Sequence, residues 1–536
     1  MQKAQVHRLT NKLGWTLCAL GLLVCACTKV GPNFAPPKTD VANEWIETDD
    51  ARITTKEPNY KDWWSVFDDP TLNVLIQKAY QQNLPLRSAG LRVLQARAQL
   101  GIAVGNFYPQ TQQAFGSVTY SRIPASSLGF GSSTGAGSQS IEYWQSEIGV
   151  GLTWELDFWG KFRRAIESAD MNFLSSITAY DAALVSLTAD VASTYVFIRT
   201  TQERLNIARN NVVIQREGWK IADARFRGGA TSERDVQQAL TQLNSTEATI
   251  PQLQTSLQQS KNSLSVLIGL PPAKLGDLLD GSAPIPKAPL QVAVGIPANL
   301  LRRRPDVRSA EYQAAAQCAQ IGVAKADLYP AFTLSGNVGF SASDIGKSTL
   351  GDMFTWNNRT ASFGPSFNWN IFNYGQITNN VRLQDAAFQE LLVNYQNTVL
   401  QAQQEVEDGL VAFLKAQDRV ISLRKAADAA KRSVDLATIQ YREGATDYTT
   451  VLTAQQALLQ QQDNLAITQG DIPQGLISTY RALGGGWEIS VDRPFVPPEI
   501  QKTMAERSNW GGFTTEDNVR QPKPEKTDIL VPTPDW

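Results

Sequence analysis

The clearest pattern in the sequence is residues 332–341, FTLSGNVGFS, in which apolar residues or glycine alternate with polar residues. A period of two predicts a β-strand with one apolar and one polar face. Residues 363–371 and 148–156 alternate in the same way, and residues 114–120 do so more weakly. Four strands of about ten residues with Trp and Phe near their ends are typical of membrane barrels. A half-buried soluble sheet shows the same alternation, so this pattern alone leaves both structures open.

Four strands in one chain set a geometric limit on any membrane structure. Backbone groups at a sheet edge cannot face lipid unpaired, so strands that span a membrane must close into a barrel. Bacterial barrels begin at about eight strands. Because two copies would supply eight strands and three would supply twelve, a membrane structure requires several copies of the chain.

The sequence also repeats itself over a long distance. Residues of the first half recur 221 positions later, and residues farther along recur 215 positions later, with the slip in a region where a loop can absorb it. We therefore expect a tandem internal duplication, with repeats at 63–290 and 291–487. Matching pairs include Arg87-Ser88-Ala89 with Arg308-Ser309-Ala310, Tyr108-Pro109 with Tyr329-Pro330, Trp154 with Trp369, Gly229-Ala230-Thr231 with Gly444-Ala445-Thr446, and Gly269 with Gly484.

Long helical segments flank the strands in each repeat. Apolar or small residues recur at spacings of mostly three and four through residues 184–226 and 399–441, which is typical of coiled coils. The stretch from Gly160 to Arg227 would be on the order of 100 Å long as one helix. Gly-rich turns end these stretches at 227–232 and 442–447, and Ser232 or Asp447 can cap the next helix. Each repeat is thus expected to hold helices, a β-hairpin (about 111–157 or 331–372) and a long helical hairpin.

The N-terminus has the features of a secretory leader. Residues 1–12 carry three positive charges and residues 13–26 are apolar, which predicts a signal peptide at 1–26. Residues 24–27, VCAC, resemble the bacterial lipoprotein box, so Cys27 is the expected lipidation site; a plain signal peptide is the alternative. Thr28 after the cysteine, under the sorting rule for such lipoproteins, implies passage to the outer membrane. No later stretch approaches the roughly 18 consecutive apolar residues of a transmembrane helix.

Composition excludes several classes of function. The only histidine, His7, lies in the leader, and of the four cysteines only Cys318 lies in the body, so His-based catalysis and disulfide or Cys-rich metal frameworks are not expected. Removing residues 1–26 takes the net charge from −2 to about −5, which argues against a nucleic-acid partner. We expect no catalytic residues, no metal site and no cofactor.

Several motifs together resemble the outer-membrane factor family of Gram-negative efflux and secretion channels, the TolC/OprM-like proteins with their NodT-type lipoproteins. The resemblance covers about residues 27–490. Its motifs are residues 296–311 (IPANLLRRRPDVRSAE), Gly31-Pro32, residues 63–72 (WWSVFDDPTL) and residues 484–487 (GGGW). Within the first motif, Pro305 and Asp306 suit the first turn of a helix.

The resemblance implies an α+β membrane protein: a homotrimer whose twelve-strand outer-membrane β-barrel, four strands per chain, continues into a periplasmic α-helical coiled-coil tunnel. Residues 27–62 would be a lipid-anchored tether and residues 488–536 a Pro-rich tail, extended or partly disordered. The implied partners are a periplasmic adaptor (membrane fusion) protein, an inner-membrane pump of the RND type, and outer-membrane lipid through acylated Cys27.

The resemblance also implies functional residues at the tunnel end. Adaptors would dock on the two Gly-rich tips, and contacts just above them would keep the pore shut. Asp235 and Tyr441 match family gate positions, whereas Thr450 and Thr453 replace frequent carboxylates, which points to a constriction of Asp235 with neutral polar partners. The expected docking residues are Arg227, Gly229, Ala230, Thr231, Arg442, Gly444, Ala445 and Thr446.

The first functional hypothesis is a passive, gated conduit for small-molecule efflux. The alternatives are the exit duct of a type I protein secretion system, a soluble periplasmic coiled-coil adaptor, and an enzyme. The four alternating strands argue against the adaptor, and the lack of a clustered acid pair, nucleophile–base set or phosphate loop argues against the enzyme. The sequence does not predict the transported substrate, since in this family the pump mainly selects it.

Overall fold

The computed structural model describes residues 29–511 except 57–58, 125–139, 273–274, 276–278, 280–282, 296, 298–302 and 345–348. The predicted signal peptide and lipidation site Cys27 lie outside these residues. The strands are β1 (Ile53–Thr54), β2 (Thr111–Ile123), β3 (Ile141–Leu156), β4 (Val292–Ala293), β5 (Ala331–Ser343) and β6 (Arg359–Asn368). The helices are α1 (Pro70–Gln82), α2 (Leu84–Gly105), α3 (Lys161–Arg227), α4 (Glu233–Ile268), α5 (Pro305–Ala326), α6 (Gln376–Arg442), α7 (Tyr448–Ala482) and α8 (Pro498–Arg507).

The four longer strands form one antiparallel sheet in the order β2-β3-β5-β6. The register places Ala114, Val150, Val338 and Ala361 in one row across the sheet, so that the alternating patterns of all four strands coincide. One face is therefore largely apolar, and the other carries mainly Ser, Thr, Asn, Gln, Glu and Gly, with Phe115 among them. Strands β2 and β6 are the edges of this sheet.

The second hairpin is shorter than the sequence pattern indicated. The alternation extends through Trp369 and Ile371, but β6 ends at Asn368. The reason is the register: Asn368 pairs with Ala331, the first residue of β5, so no partner residue remains for the positions beyond. Pro365 within β6 is compatible with an edge strand, where one missing donor disrupts no inner ladder.

Two long helical hairpins extend away from the sheet. Helices α3 and α6 each contain 67 residues and start 215 positions apart, and the return helices α4 and α7 contain 36 and 35 residues. The element order α2, β2, β3, α3, α4 thus recurs as α5, β5, β6, α6, α7. An 18-residue window of α3 is apolar enough by composition to cross a membrane, but 61% of it is buried inside the protein, so packing accounts for its hydropathy.

The described segments before residue 63 and after residue 487 are packed against the helices. The expected tether is extended, but it is fastened along α6: Ala42 N donates to Gln403 Oε1 at 3.0 Å and Ile46 N to Glu407 Oε1 at 2.9 Å. The C-terminal segment is not merely an extended strap, because Pro498–Arg507 forms α8 and Met504 packs against Leu94 of α2. Apolar contacts explain this order, since Phe495, Val496 and Met504 all find partners on α2 and α3. Residues 512–536 lie outside the described part.

Within the arginine-rich motif, Arg304 has a structural role. Arg304 is 7% exposed and forms ion pairs with Asp306 at 2.6 Å and Glu405 at 2.7 Å. It also donates to the carbonyl of Ala482 at 2.8 Å, so one guanidinium joins α5, α6 and α7. Cys318 is a buried free thiol in α5, consistent with a small packing residue.

Candidate functional site at the helical tips

Glycines in left-handed conformation end both long helices. Gly229 has φ +72° and Gly444 has φ +79°, a region that residues with a Cβ rarely adopt. Ala230 N donates to Arg225 O at 2.8 Å, and Ala445 N donates to Gln440 O at 2.8 Å. These bonds satisfy carbonyls at the helix ends and reverse the chain within a few residues. The two tips are therefore built alike.

The helices that follow the tips begin differently. Asp447 accepts a hydrogen bond from Thr450 N at 3.2 Å, as expected for an N-cap. Ser232 occupies the predicted N-cap position of α4, but its side chain makes no cap hydrogen bond. Here the first turn contains Glu233 and Asp235, whose negative charges favour a helix N-terminus.

Just above the tips, Asp235 and Tyr441 lie inside the four-helix core. Asp235 is 3% exposed, and its Oδ2 accepts hydrogen bonds from Thr231 Oγ1 and, at 3.4 Å, from the Tyr441 hydroxyl. Arg234 stands 3.5 Å from the other carboxylate oxygen. Burial is the main cause that raises the pKa of Tyr441, which keeps its hydroxyl protonated as a donor. This pair joins the first hairpin to the second.

Arg225 adds a second link between the hairpins. Its guanidinium lies 4.8 Å from the ring centroid of Tyr441 and donates to the main-chain carbonyls of Tyr441 and Arg442. A cation at the C-terminus of α6 is stabilised by the helix dipole and satisfies carbonyls that the helix leaves unpaired. Tyr448 completes the cluster, with its ring edge-on to Tyr441 at 5.3 Å between centroids.

The four predicted gate residues do not form one ring on the chain. Thr450 and Thr453 are exposed, and their hydroxyls bond locally to Asp447 and to the carbonyl of Thr449. Asp235 and Tyr441 are instead buried against each other. In the single chain the Asp235 carboxylate is thus enclosed by the chain's own helices, and the constriction between copies stays a prediction.

The residues expected to dock an adaptor divide into two groups. Thr231 and Thr446 are half-buried and bond to Asp235 and Thr450, whereas the other six are exposed at the tips. Arg225 and Tyr448 were not predicted to be part of the site. Arg225 lies two residues before the first tip, and Tyr448 begins the helix after the second, so proximity to the turns was the available signal.

The sequence profile of the family described as "Outer membrane efflux protein" matches residues 75–270 and 296–485, once over each half. "Nodulation protein T" of Rhizobium leguminosarum bv. viciae is 32% identical over 490 residues, covering 91% of this chain and 96% of that protein. The chain belongs to the outer membrane efflux protein family.

Two further comparisons agree with this assignment. The "Solvent efflux pump outer membrane protein SrpC" of Pseudomonas putida is 30% identical over 478 residues, covering 88% of this chain and 97% of that protein. The solved structure of the outer-membrane channel OprN has a TM-score of 0.79 at 31% identity, covering 86% of this chain and all of that one. The chain is therefore an outer-membrane efflux component, and its family consists of channels.

Proposed function

We propose that three copies of the chain form a gated, passive channel across the outer membrane, the exit component of a tripartite efflux system. The observation that carries this proposal is the open four-stranded sheet. Its edge strands β2 and β6 leave one side of their backbone groups without a partner strand in the described chain. Because such edges cannot face lipid, closure by further copies is required, and three copies give a twelve-strand barrel.

The two faces of the sheet support a barrel that encloses water. Val118, Val150, Val338 and Phe363 share one face and are between 60% and 77% exposed in the single chain. The opposite face presents mainly polar side chains and glycine. A transmembrane barrel with a hydrated lumen needs this pattern, apolar toward lipid and polar inside.

The start of the described chain supports the lipid anchor at Cys27. Val30 N donates to the carbonyl of Trp159 at 3.0 Å, next to the junction between β3 and α3. Val30 follows Cys27 by three residues, so a lipid on Cys27 would be attached within at most about 11 Å of chain from this junction. An acyl chain attached there would enter the membrane beside the barrel.

The tips support the proposed partners. Their exposed Arg227, Gly229, Ala230, Arg442, Gly444 and Ala445 offer a surface far from the sheet to a periplasmic adaptor, which would connect the channel to an inner-membrane pump of the RND type. Opening would occur by realignment of the helices around Asp235 and Tyr441, without any bond made or broken. The cargo would be small molecules: drugs, toxic compounds or metal ions.

A photo-crosslinking amino acid at Arg227 in the native membrane tests this proposal, with the same crosslinker at Tyr374 as a control near the sheet. The expected product is a trimer crosslinked to an adaptor from position 227 only, co-purifying with a proton-driven pump. An ABC-type exporter in its place would assign the channel to type I protein secretion. A soluble monomer without either partner would overturn the proposal.

A further inference from the structure

The first residues of the described chain lie in a groove between α3 and α5. Arg164 is 1% exposed, and its guanidinium donates to the carbonyls of Val30 and Gly31, both at 3.2 Å, and to Asn33 Oδ1 at 2.8 Å. Removing an arginine from water is costly unless its donors are paired. Three of the hydrogen-bond acceptors of Arg164 belong to this short peptide.

Three glycines allow the peptide to approach so closely. A Cβ on Gly160 would lie 2.8 Å from Lys29 Cα, and a Cβ on Gly322 would lie 2.7 Å from the Val30 carbonyl oxygen. A Cβ on Gly31 would lie 2.5 Å from Gly322 Cα, and Gly31 has φ +96°. Any side chain at these positions would displace the peptide or the helix.

The charges in the groove are also matched. Glu167 accepts from Arg164 Nη1 at 2.8 Å and from Lys29 Nζ at 3.3 Å, so one carboxylate joins the groove to the peptide. Two charged side chains of α3 therefore bind this peptide through its backbone, an amide and an ammonium group. Main-chain recognition of this kind indicates a binding site and not incidental packing.

We propose that Arg164, Glu167 and Gly322 form a docking site for the chain's own residues Lys29–Asn33, and that Arg164 is the residue that positions this peptide. Docking holds residues 29–33 at the level where the sheet meets the helices. This inference rests on the proposed function only where it concerns the lipid on Cys27. In that case the site sets the anchor and the barrel at one depth in the membrane.

Hydrogen exchange of the assembled protein, read by mass spectrometry, tests the site. The Val30 amide should exchange slowly in the wild type. Arg164→Met should accelerate its exchange by about tenfold or more, since hydrogen bonds from a charged donor are lost. Amides of Ala42 and Ile46, held by α6, should keep their protection, and Arg209→Met, at an exposed position of α3, should change nothing.

Gly31→Ala provides a variant that leaves the body of the protein intact, with Gly105→Ala, which has open space at its Cβ, as its control. Arg164→Met could lose protection throughout the protein because it unfolds. In that case Gly31→Ala tests the docking site, and only the amides of residues 29–33 should lose protection in this variant. Arg164→Lys should give an intermediate effect, because the charge remains without the planar fork. A rapidly exchanging Val30 in the wild type, or unchanged exchange in both Arg164→Met and Gly31→Ala, would overturn the proposal.

Trypsin separates this site from the proposed function. Cleavage after Lys29 would detach the body from any lipid, and it should be slow in the wild type and faster in Gly31→Ala. A Cys27→Ala chain secreted without lipid should retain the protected Val30 amide. If Cys27 proves unmodified but Val30 stays protected, the docking site stands and the lipid anchor fails.

Discussion

Tyr441 and Asp235, 206 residues apart in the sequence, meet 3.4 Å apart between the Tyr441 hydroxyl and Asp235 Oδ2, and the two residues are only 2% and 3% exposed. Asp235 belongs to α4, which follows the first tip, and Tyr441 belongs to α6, which precedes the second. Any motion that separates the hairpins must break this contact. It is therefore the point at which the closed arrangement can be tested.

Tyr441→Phe should make the tip easier to open. The ring keeps its contacts with Arg225 and Tyr448, whereas the hydroxyl and its hydrogen bond to the carboxylate are lost, at a cost of about 1 kcal/mol, or about fivefold in an equilibrium. The open probability of the purified channel in planar bilayers should rise by that factor. Tyr374→Phe, at a fully exposed position near the start of α6, should behave like the wild type.

Gly229→Ala should strain the first tip, whereas Gly228→Ala should not. Gly229 has φ +72° with open space around its Cβ, so the strain comes only from the backbone conformation and should cost about 1 kcal/mol. Gly228 has φ −78°. Exchange of the Ala230 amide should therefore accelerate about fivefold in the first variant only. Equal exchange in both variants would contradict a left-handed turn at Gly229.

Arg225→Met should loosen the second tip, although Arg225 belongs to α3. The variant loses two charged hydrogen bonds to carbonyls at the end of α6 and the contact with the Tyr441 ring, together about 2 kcal/mol. The amides of Gly444 and Ala445 should exchange faster. The matched control is Arg227→Met, because Arg227 is 78% exposed and its ion pair with Asp223 lies at the surface, so its loss should cost at most about 0.5 kcal/mol.

Much of the architecture follows from local patterns. The alternation in 332–341 predicts β5, and the spacing of apolar residues predicts α3 and α6, because each pattern has the period of one face of its element. Gly229 and Gly444 mark both tips, since their left-handed φ excludes most residues. These features depend on residues close together in the sequence.

Contacts between distant segments could not be predicted in the same way. The end of β6 at Asn368 depends on where β5 begins. The attachment of the tether at Ala42 and Ile46 depends on acceptors more than 360 residues away in the sequence. Arg225 is one of several arginines near the tip, and only the packed structure shows that it reaches Tyr441. The exposure of Thr450 likewise depends on how the hairpins face each other.

Stability should also depend on pH through Asp181 of α3. Burial raises its pKa from 3.8 to about 7, and attraction by Arg308 offsets this only in part. Between these values the folded chain binds the proton more tightly than the unfolded chain, so the free energy of unfolding should fall as pH rises from about 4 to about 7. The cost is fully present above pH 7, on the order of 4 kcal/mol.

Asp181→Asn should remove this dependence. The thermal midpoint of the variant should exceed that of the wild type at pH 8, and the difference should vanish below about pH 3, where the wild-type carboxyl is largely neutral in both states. Asp428→Asn, at an exposed position of α6, should leave the profile of the wild type unchanged. A constant difference between the two proteins at all pH values would show that Asp181 is not the titrating group.

Disulfide trapping between the edge strands tests the trimeric barrel most directly. With Cys318 replaced by Ala, cysteines would be placed pairwise at Gln113 or Ser117 of β2 and at Ser362 or Ser366 of β6. At least one pair should give covalent trimers in the native outer membrane. The control pair Glu147→Cys and Ser341→Cys, opposite each other on β3 and β5, should link only within one chain. Monomers from every edge pair, alongside efficient trapping of the control, would contradict a barrel shared by three copies.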